Sequence, residues 1–190
     1  MREDVILEGA YDLLTEKSYG EMSMDDVAAR SGMSKATLYQ LFASKQDLAV
    51  GVVTRCMKRH LTALETVDAS LPPGRRLEVA MRMSLRERAR FDTAKLGVPR
   101  PMLRHDPRYM AMLQRLEVAM TELIEAAKAA GELSAEIPTP AILAMFGALF
   151  SANYDFVTER SEAALPQITD ALVSIVFRGL HASSVESQPR

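Results

Sequence analysis

Residues 23–42 read SMDDVAARSGMSKATLYQLF, and this stretch decides the fold. Ser23 followed by Asp26 is a capping box, in which a hydroxyl and a carboxylate satisfy exposed backbone N–H groups at a helix start. Val27 and Ala28 supply the inward face of that helix, and Gly32 stands where it must stop, because glycine adopts the left-handed conformation that helix ends need. Ser34 can cap a second helix, on which Leu38, Leu41 and Phe42 have the spacing of a buried stripe, with Met33 plugging the gap between the two helices. Lys35, Thr37, Tyr39 and Gln40 make its other face polar. Two short helices joined by a tight turn, the second with short polar groups outward, satisfy the demands of a helix-turn-helix unit reading the major groove. The same periodicity also describes two amphipathic helices of an ordinary bundle, so charge has to decide between them.

Residues 1–50 contain nine acids (Glu3, Asp4, Glu8, Asp12, Glu16, Glu21, Asp25, Asp26, Asp47) against five bases. Residues 27–46 nevertheless hold Arg30, Lys35 and Lys45 and no acid. An acid-free window in an acidic segment fits a face that meets phosphates.

In order along the chain come a capped helix, Ala28-x-x-Ser31-Gly-Met-Ser34, Lys35-Ala-Thr-Leu-Tyr-x-x-Phe42, and Ser44-Lys-x-x-Leu48 opening the next helix. These residues resemble the DNA-binding domain of the TetR family of transcriptional regulators over roughly the first fifty positions. The resemblance implies that Lys35, Ala36, Thr37 and Gln40 face base edges while Ser34, Tyr39 and Lys45 hold phosphates. The chemistry agrees: lysine can donate to guanine O6 and N7, glutamine can pair with adenine, and the methyls of Ala36 and Thr37 can touch thymine. Tyr39 could instead be a half-buried core residue, and Lys45 a solvated one. Two features depart from the family: Leu41 stands where a second aromatic is common, and Arg2 is the sole base ahead of the first helix. Both lead to the expectation of modest nonspecific affinity.

The 190 residues, 48% of them apolar, are enough for a small DNA-binding domain and a larger helical one. With a net charge of −2 and a pI of about 6.0, nucleic-acid binding has to come from a patch and not from a global field. The start, MREDVILEGAYDLL, lacks the layout of a signal peptide, and no apolar run approaches the roughly 20 residues that span a bilayer, so a cytoplasmic protein without membrane contact is expected. A single cysteine, Cys56, excludes an internal disulfide and a multi-cysteine metal site, and is expected to be a packing residue. The chain has no Gly-x-Ser-x-Gly elbow and no glycine-rich phosphate loop; His60, His105 and His181 are scattered. No enzyme, no cofactor and no metal site are expected.

Punctuation makes the whole chain all-α. A first helix is expected over residues 3–17 with Ile6, Ala10, Leu13 and Leu14 inward, and a fourth from a Ser44/Asp47 capping box to about Thr66. Pro72, Pro73 and Gly74 then mark a boundary, giving an N-terminal helix-turn-helix domain over 1–66 and a C-terminal domain over 74–181, with 182–190 as a disordered tail. A fifth helix should bury Leu77, Met81 and Leu85 and turn an arginine-rich face to solvent, with Arg75, Arg76, Arg82, Arg86, Arg88 and Arg90 paired to Glu78 and Glu87. Pro99 and Pro101 flank a short sixth helix, and Asp106-Pro107 and Gly131 bracket a seventh. Thr139-Pro140 opens an eighth, continuing through Val157, and a ninth runs from about Pro166 to Leu180 with Ile168, Leu172, Ile175 and Val176 as its stripe.

The eighth helix is apolar on nearly all sides through Ile142, Leu143, Met145, Phe146, Leu149 and Phe150, so it needs two apolar partners. One is its own domain; the other is expected to be a second subunit, giving a homodimer through helices 8 and 9, as in the TetR family. Such a dimer would read a near-palindromic double-stranded DNA operator, probed by two recognition helices about 34–36 Å apart. The resemblance further implies repression and control by a small-molecule effector. Phe91, Met102, Tyr109, Met112, Phe146, Phe150 and Tyr154 are the candidate ligand-binding residues, and 12 methionines with no tryptophan suit a plastic, largely apolar pocket. Arg104 and His105 are candidate polar anchors. The competing reading is a helical protein-protein adaptor whose N-terminal unit is a docking face without sequence-specific DNA binding.

Overall fold

The structure is a computed structural model and describes residues 2–90, 96–152 and 164–181. Among these the elements are α1 (Arg2–Glu21), α2 (Met24–Ser31), α3 (Lys35–Leu41), α4 (Lys45–Thr66), α5 (Pro73–Arg90), α6 (Arg100–Arg104), α7 (Pro107–Ala129), α8 (Thr139–Ser151) and α9 (Leu165–Leu180). The described residues form no strand; one isolated antiparallel bridge pairs Leu133 with His181. The all-α expectation holds. The expected tail at 182–190 and the extension of the eighth helix over residues 153–157 lie outside the described residues.

Two compact units share the chain. The first comprises Met1–Leu61 with Arg90–Leu116, and the second Thr62–Ala89 with Glu117–Arg190. These units differ from the linear division expected at Pro72–Gly74: the divisions fall inside α4, before the last residue of α5 and inside α7, and Pro73 opens α5. The physical reason lies in the first unit's core. Leu96 and Leu103, fully or nearly fully buried, join Ile6, Leu7, Ala10, Leu13 and Leu14 of α1, Val27 of α2, Leu38 and Phe42 around α3, and Leu48 and Val52 of α4. Met102 and Tyr109 pack on the same cluster. An ion pair adds to this, for Arg108 Nη1 lies 2.7 Å from Asp47 Oδ1 while Arg108 Nη2 lies 2.8 Å from Asp106 Oδ2.

Helix α1 extends four residues beyond the expected end, across an interruption at Ser18 (φ 67). Immediately after it, the Tyr19 N–H donates to the Leu96 carbonyl at 2.9 Å, so the interruption turns a donor toward the segment before α6. This left-handed serine carried no sequence signal.

In the second unit, Leu77, Ala80, Met81 and Leu85 of α5 are buried as spacing requires, together with Ile124 and Ala127 of α7 and Ile142 and Phe146 of α8. Gly131, at φ 73, ends α7 as expected, and Ser134 N–H donates to Leu180 O at 2.8 Å beyond it. The stripe of α9 is corrected. Ile168, Val173, Phe177 and Leu180 face inward, whereas Ile175 is 66% exposed. Phe177 sets this rotation, because its ring stacks on Phe146 at 5.9 Å between centroids, and the largest apolar side chain gains most from burial. Leu172, Ile175 and Val176 therefore form a second apolar face on α9.

The arginine face of α5 keeps the expected pairing with Glu78, which Arg75 Nη1 meets at 2.7 Å and Arg82 Nη2 at 2.6 Å, but it also reaches beyond its own helix. Arg82 donates to Glu78 Oε1 (2.6 Å), to the Asp170 carbonyl (2.9 Å) and to Ser174 Oγ (2.8 Å), and Arg86 grips the Asp170 carboxylate through Nε and Nη2 at 3.2 and 2.6 Å. The side chains of Arg88 and Arg90 lie outside the described residues. The face is an ion network joining α5 to α9, invisible to local pairing rules because Asp170 is 84 residues from Arg86.

The Arg86 guanidinium, with Arg82 beside it, holds the Asp170 carboxyl below the usual carboxylate range. A depressed carboxylate stabilises the fold above its unfolded pKa, and that contribution is lost as pH falls through the folded value. Asp170→Asn is therefore expected to lower stability by about 1 kcal/mol at neutral pH. Thermal denaturation across pH should show the difference shrinking below about pH 4, where the carboxylate protonates. A difference independent of pH would rule out the ion network as its source.

Candidate nucleic-acid interface

Local chemistry fixes the geometry of α2 and α3. The Ser23 N–H donates to Asp26 Oδ2 at 3.0 Å and the Asp26 N–H to Ser23 Oγ at 3.1 Å, the reciprocal capping box expected from sequence. These bonds from Ser23 hold the Asp26 carboxyl below its ordinary range. At the other end Gly32 has φ 64 and ψ 23, and its N–H reaches the carbonyls of Ala28 and Ala29. Ser34 Oγ accepts from the Thr37 N–H at 3.1 Å and lies 2.9 Å from the Thr37 hydroxyl, so the cap of α3 occupies both hydroxyl groups. Helix α4 is capped by Ser44 as expected, but Asp47 reaches one residue further back, to the Ala43 N–H at 2.9 Å.

Leu38 and Phe42 are buried at 0% and 3% exposure, and Met33 is half-buried against the same core. Leu41, placed in the buried stripe by spacing, is instead 43% exposed. At 100° per residue it lies about 60° off the Leu38 direction, on the edge of the buried side, whereas Phe42, the extended C-cap residue (φ −133, ψ 109), lies about 40° off and is buried. The outward face of α3 thus carries Lys35, Ala36, Tyr39 and Gln40, all exposed, with Thr37 half-buried and Leu41 beside them. Tyr39 is 51% exposed, which disposes of the core-tyrosine alternative.

The cations of the acid-free window are all engaged. Arg30 holds Glu16 with two guanidinium donors at 2.9 and 2.6 Å, raising its own pKa and lowering that of Glu16. Lys35 Nζ lies 2.7 Å from Asp25 Oδ2, and that hydrogen bond raises the lysine's pKa. Lys45, half-buried, sits 4.6 Å over the Tyr19 ring and donates to the Gly20 carbonyl at 3.1 Å. Glu16, Asp25 and Tyr19 lie outside residues 27–46, and no fixed spacing links them to their partners. Sequence reasoning also missed Arg108, which bonds to Asp47 at the start of α4, a residue that follows α3 by one short turn.

The candidate ligand residues fall in both units. Met102, Tyr109 and Met112, all half-buried, belong to the first unit, whereas Phe146 and Phe150 belong to the second. Phe146 is fully buried on Phe177 and Phe150 half-buried. Phe91 and Tyr154 lie outside the described residues. His105 places Nδ1 2.6 Å from the Pro101 carbonyl, a contact within its own short helix, and Arg104 is exposed. Cys56 is 5% exposed, and burial pushes its thiol up to about 11, which disfavours the reactive thiolate. No described helix is long and apolar enough to cross a membrane.

The profile described as "Bacterial regulatory proteins, tetR family" matches residues 6–52, spanning α1 to α3 and the start of α4. A 71-residue stretch is 34% identical to the HTH-type transcriptional regulator EthR of Mycolicibacterium smegmatis, covering 37% of this chain and 33% of that protein. The chain spans about a third of the length of the curated relatives it matches. Likeness over the whole chain is one of fold. The fatty acid degradation regulator FadR of Bacillus halodurans superimposes with a TM-score of 0.76 at 17% identity, covering 93% of this chain and 94% of that one. FadR of Bacillus subtilis, solved in complex with stearoyl-CoA, gives 0.73 at 15% identity, covering 94% and 99%. The profile match lies on the capped helix-turn-helix, so residues 6–52 are similar to the DNA-binding domain of the tetR family of bacterial regulatory proteins, and the likeness of the whole chain to FadR is one of fold.

Proposed function

We propose that this protein is a ligand-responsive transcriptional regulator, acting as a repressor in the cytoplasm, that binds a near-palindromic DNA operator as a homodimer. The observation that carries the reading is the outward face of α3, where Lys35, Ala36, Tyr39 and Gln40 stand exposed on a helix anchored from behind by Leu38 and Phe42. Lys35, Ala36, Thr37 and Gln40 read base edges; Ser34, Tyr39 and Lys45 fix the register on phosphates. Lys45 needs only to extend from the Tyr19 ring to do so, whereas Arg30, gripped by Glu16, contributes structure instead.

Dimerisation uses α8 and α9. The second apolar face of α9 (Leu172, Ile175, Val176) supports this, as do exposed Ala144 and Ala148 on α8, since small residues let helices approach closely. Two copies of α3 then meet successive major grooves about 34–36 Å apart. Selection of bound duplexes from a random pool should yield a near-palindromic consensus. A Thr37→Ala, Gln40→Ala variant should bind it at least about tenfold more weakly, since each base contact contributes about 1–3 kcal/mol. Failure of the wild-type protein to enrich any sequence would overturn the DNA-reading proposal.

The effector is a small, largely apolar molecule, and it releases DNA by binding the misaligned state better by a few kcal/mol. Among the candidate residues of the first unit Met112 is half-buried and able to adapt, while Met102 and Tyr109 also pack on its core; in the second unit Phe150 is half-buried and Phe146 serves the core. The stearoyl-CoA held by a neighbour of the same fold makes long-chain acyl thioesters the first class to test. A true effector at a hundredfold over its Kd should raise Tm by about 5–10 °C. No shift with stearoyl-CoA or any member of a broad apolar panel would contradict ligand control.

A further inference from the structure

Asp25 and Lys35 stand out as a charge pair on the face that meets DNA. Their side chains are equally exposed, at 64% each, with Nζ 2.7 Å from Oδ2. The carboxylate therefore faces whatever the ammonium faces. It also has no part in the helix cap, because Asp26 and not Asp25 exchanges bonds with Ser23. A carboxylate beside a DNA-facing lysine looks counterproductive, since every acid on such a face opposes the phosphates.

The chemistry of the ammonium resolves this. It has three donors and no acceptor, so a lysine bonded to Asp25 keeps two donors for DNA. Guanine O6 and N7 are uncharged acceptors and can take those donors while the ion pair persists. A phosphate carries a full negative charge, and reaching the same ammonium brings it against the Asp25 carboxylate or forces the pair apart. Specificity is a difference of affinities, and it can be raised by penalising the wrong contact.

We propose that Asp25 is a specificity-determining residue: by holding Lys35 it penalises contact of that lysine with phosphate more than with a base edge, and so suppresses binding to non-operator DNA. This rests on the DNA-reading function proposed above.

The test is a double-mutant cycle on the full chain, with wild type, Asp25→Asn, Lys35→Met and the double variant. Fluorescence anisotropy would be recorded on a random-sequence duplex and on the selected operator over a range of salt, with thermal melts confirming that each variant folds. Removing the charge of one member of an exposed pair should tighten random-duplex binding by about two- to fivefold. The salt dependence should steepen by up to about one power of salt concentration as Lys35 joins the phosphate contacts. Operator affinity should change less, and the gain should vanish in the Lys35→Met background. An equal gain in both Lys35 backgrounds would reveal a plain net-charge effect and overturn the inference alone, as would an equal gain on operator and random DNA. Absence of binding to any duplex by all four proteins would overturn the DNA-reading function and the inference with it.

Discussion

The direction in which α3 points depends on a left-handed residue at Gly32 between two helices whose starts are fixed by side-chain caps. Ser23 and Asp26 define where α2 begins, Gly32 where it stops, and Ser34 where α3 begins. With both ends of the turn set, Leu38 and Phe42 can enter one core with α1 and α4 while the residues between them face out. A residue with a Cβ at φ 64 would be strained, and relaxing that strain would rotate α3 and every contact it presents. The rest of the first unit serves the same end: Leu96 and Leu103 complete the core, and Arg108 bonds to the acid that caps the chain just after α3.

Charge on this face is arranged with restraint. Arg30, Lys35 and Lys45 each have a partner within the chain, and the net charge of the protein is −2. A protein built in this way gains little from long-range attraction to a polyanion, so in the proposed reading discrimination rests on the few groups that the outward face of α3 presents. The ion network of Glu78, Arg82, Arg86 and Asp170 shows the same habit in the second unit, where arginines tie helices together instead of decorating the surface.

Much of the N-terminal domain was legible in the sequence because its signals are local. Caps, a glycine stop and helical periodicity act within four residues, and Ser23, Gly32, Ser34 and Leu38 stand where those rules put them. Leu41 departs from the expected stripe because i, i+3 spacing admits a residue about 60° off the buried direction, and at the last position of α3 Phe42 fills the core instead. The α9 stripe was misread because two apolar faces compete, and only the long-range stack of Phe177 on Phe146 chooses between them. The partners of Arg30, Lys35 and Arg86 were illegible for a related reason: they are brought together by tertiary folding across 10 to 84 residues. The membership of α6 and early α7 in the first unit had no local signal either, since it follows from where Leu96 and Leu103 are buried.

The central claim is that the outward face of α3 is the surface that meets DNA, and it can be tested without knowing the operator. Isotope-labelled protein titrated with a random-sequence duplex at low salt would report, by amide chemical-shift changes, which residues the duplex touches. The account predicts the largest changes over residues 33–41 and at Lys45, with the interior of the second unit little affected. Changes concentrated elsewhere, with residues 33–41 unmoved while the duplex binds, would contradict it.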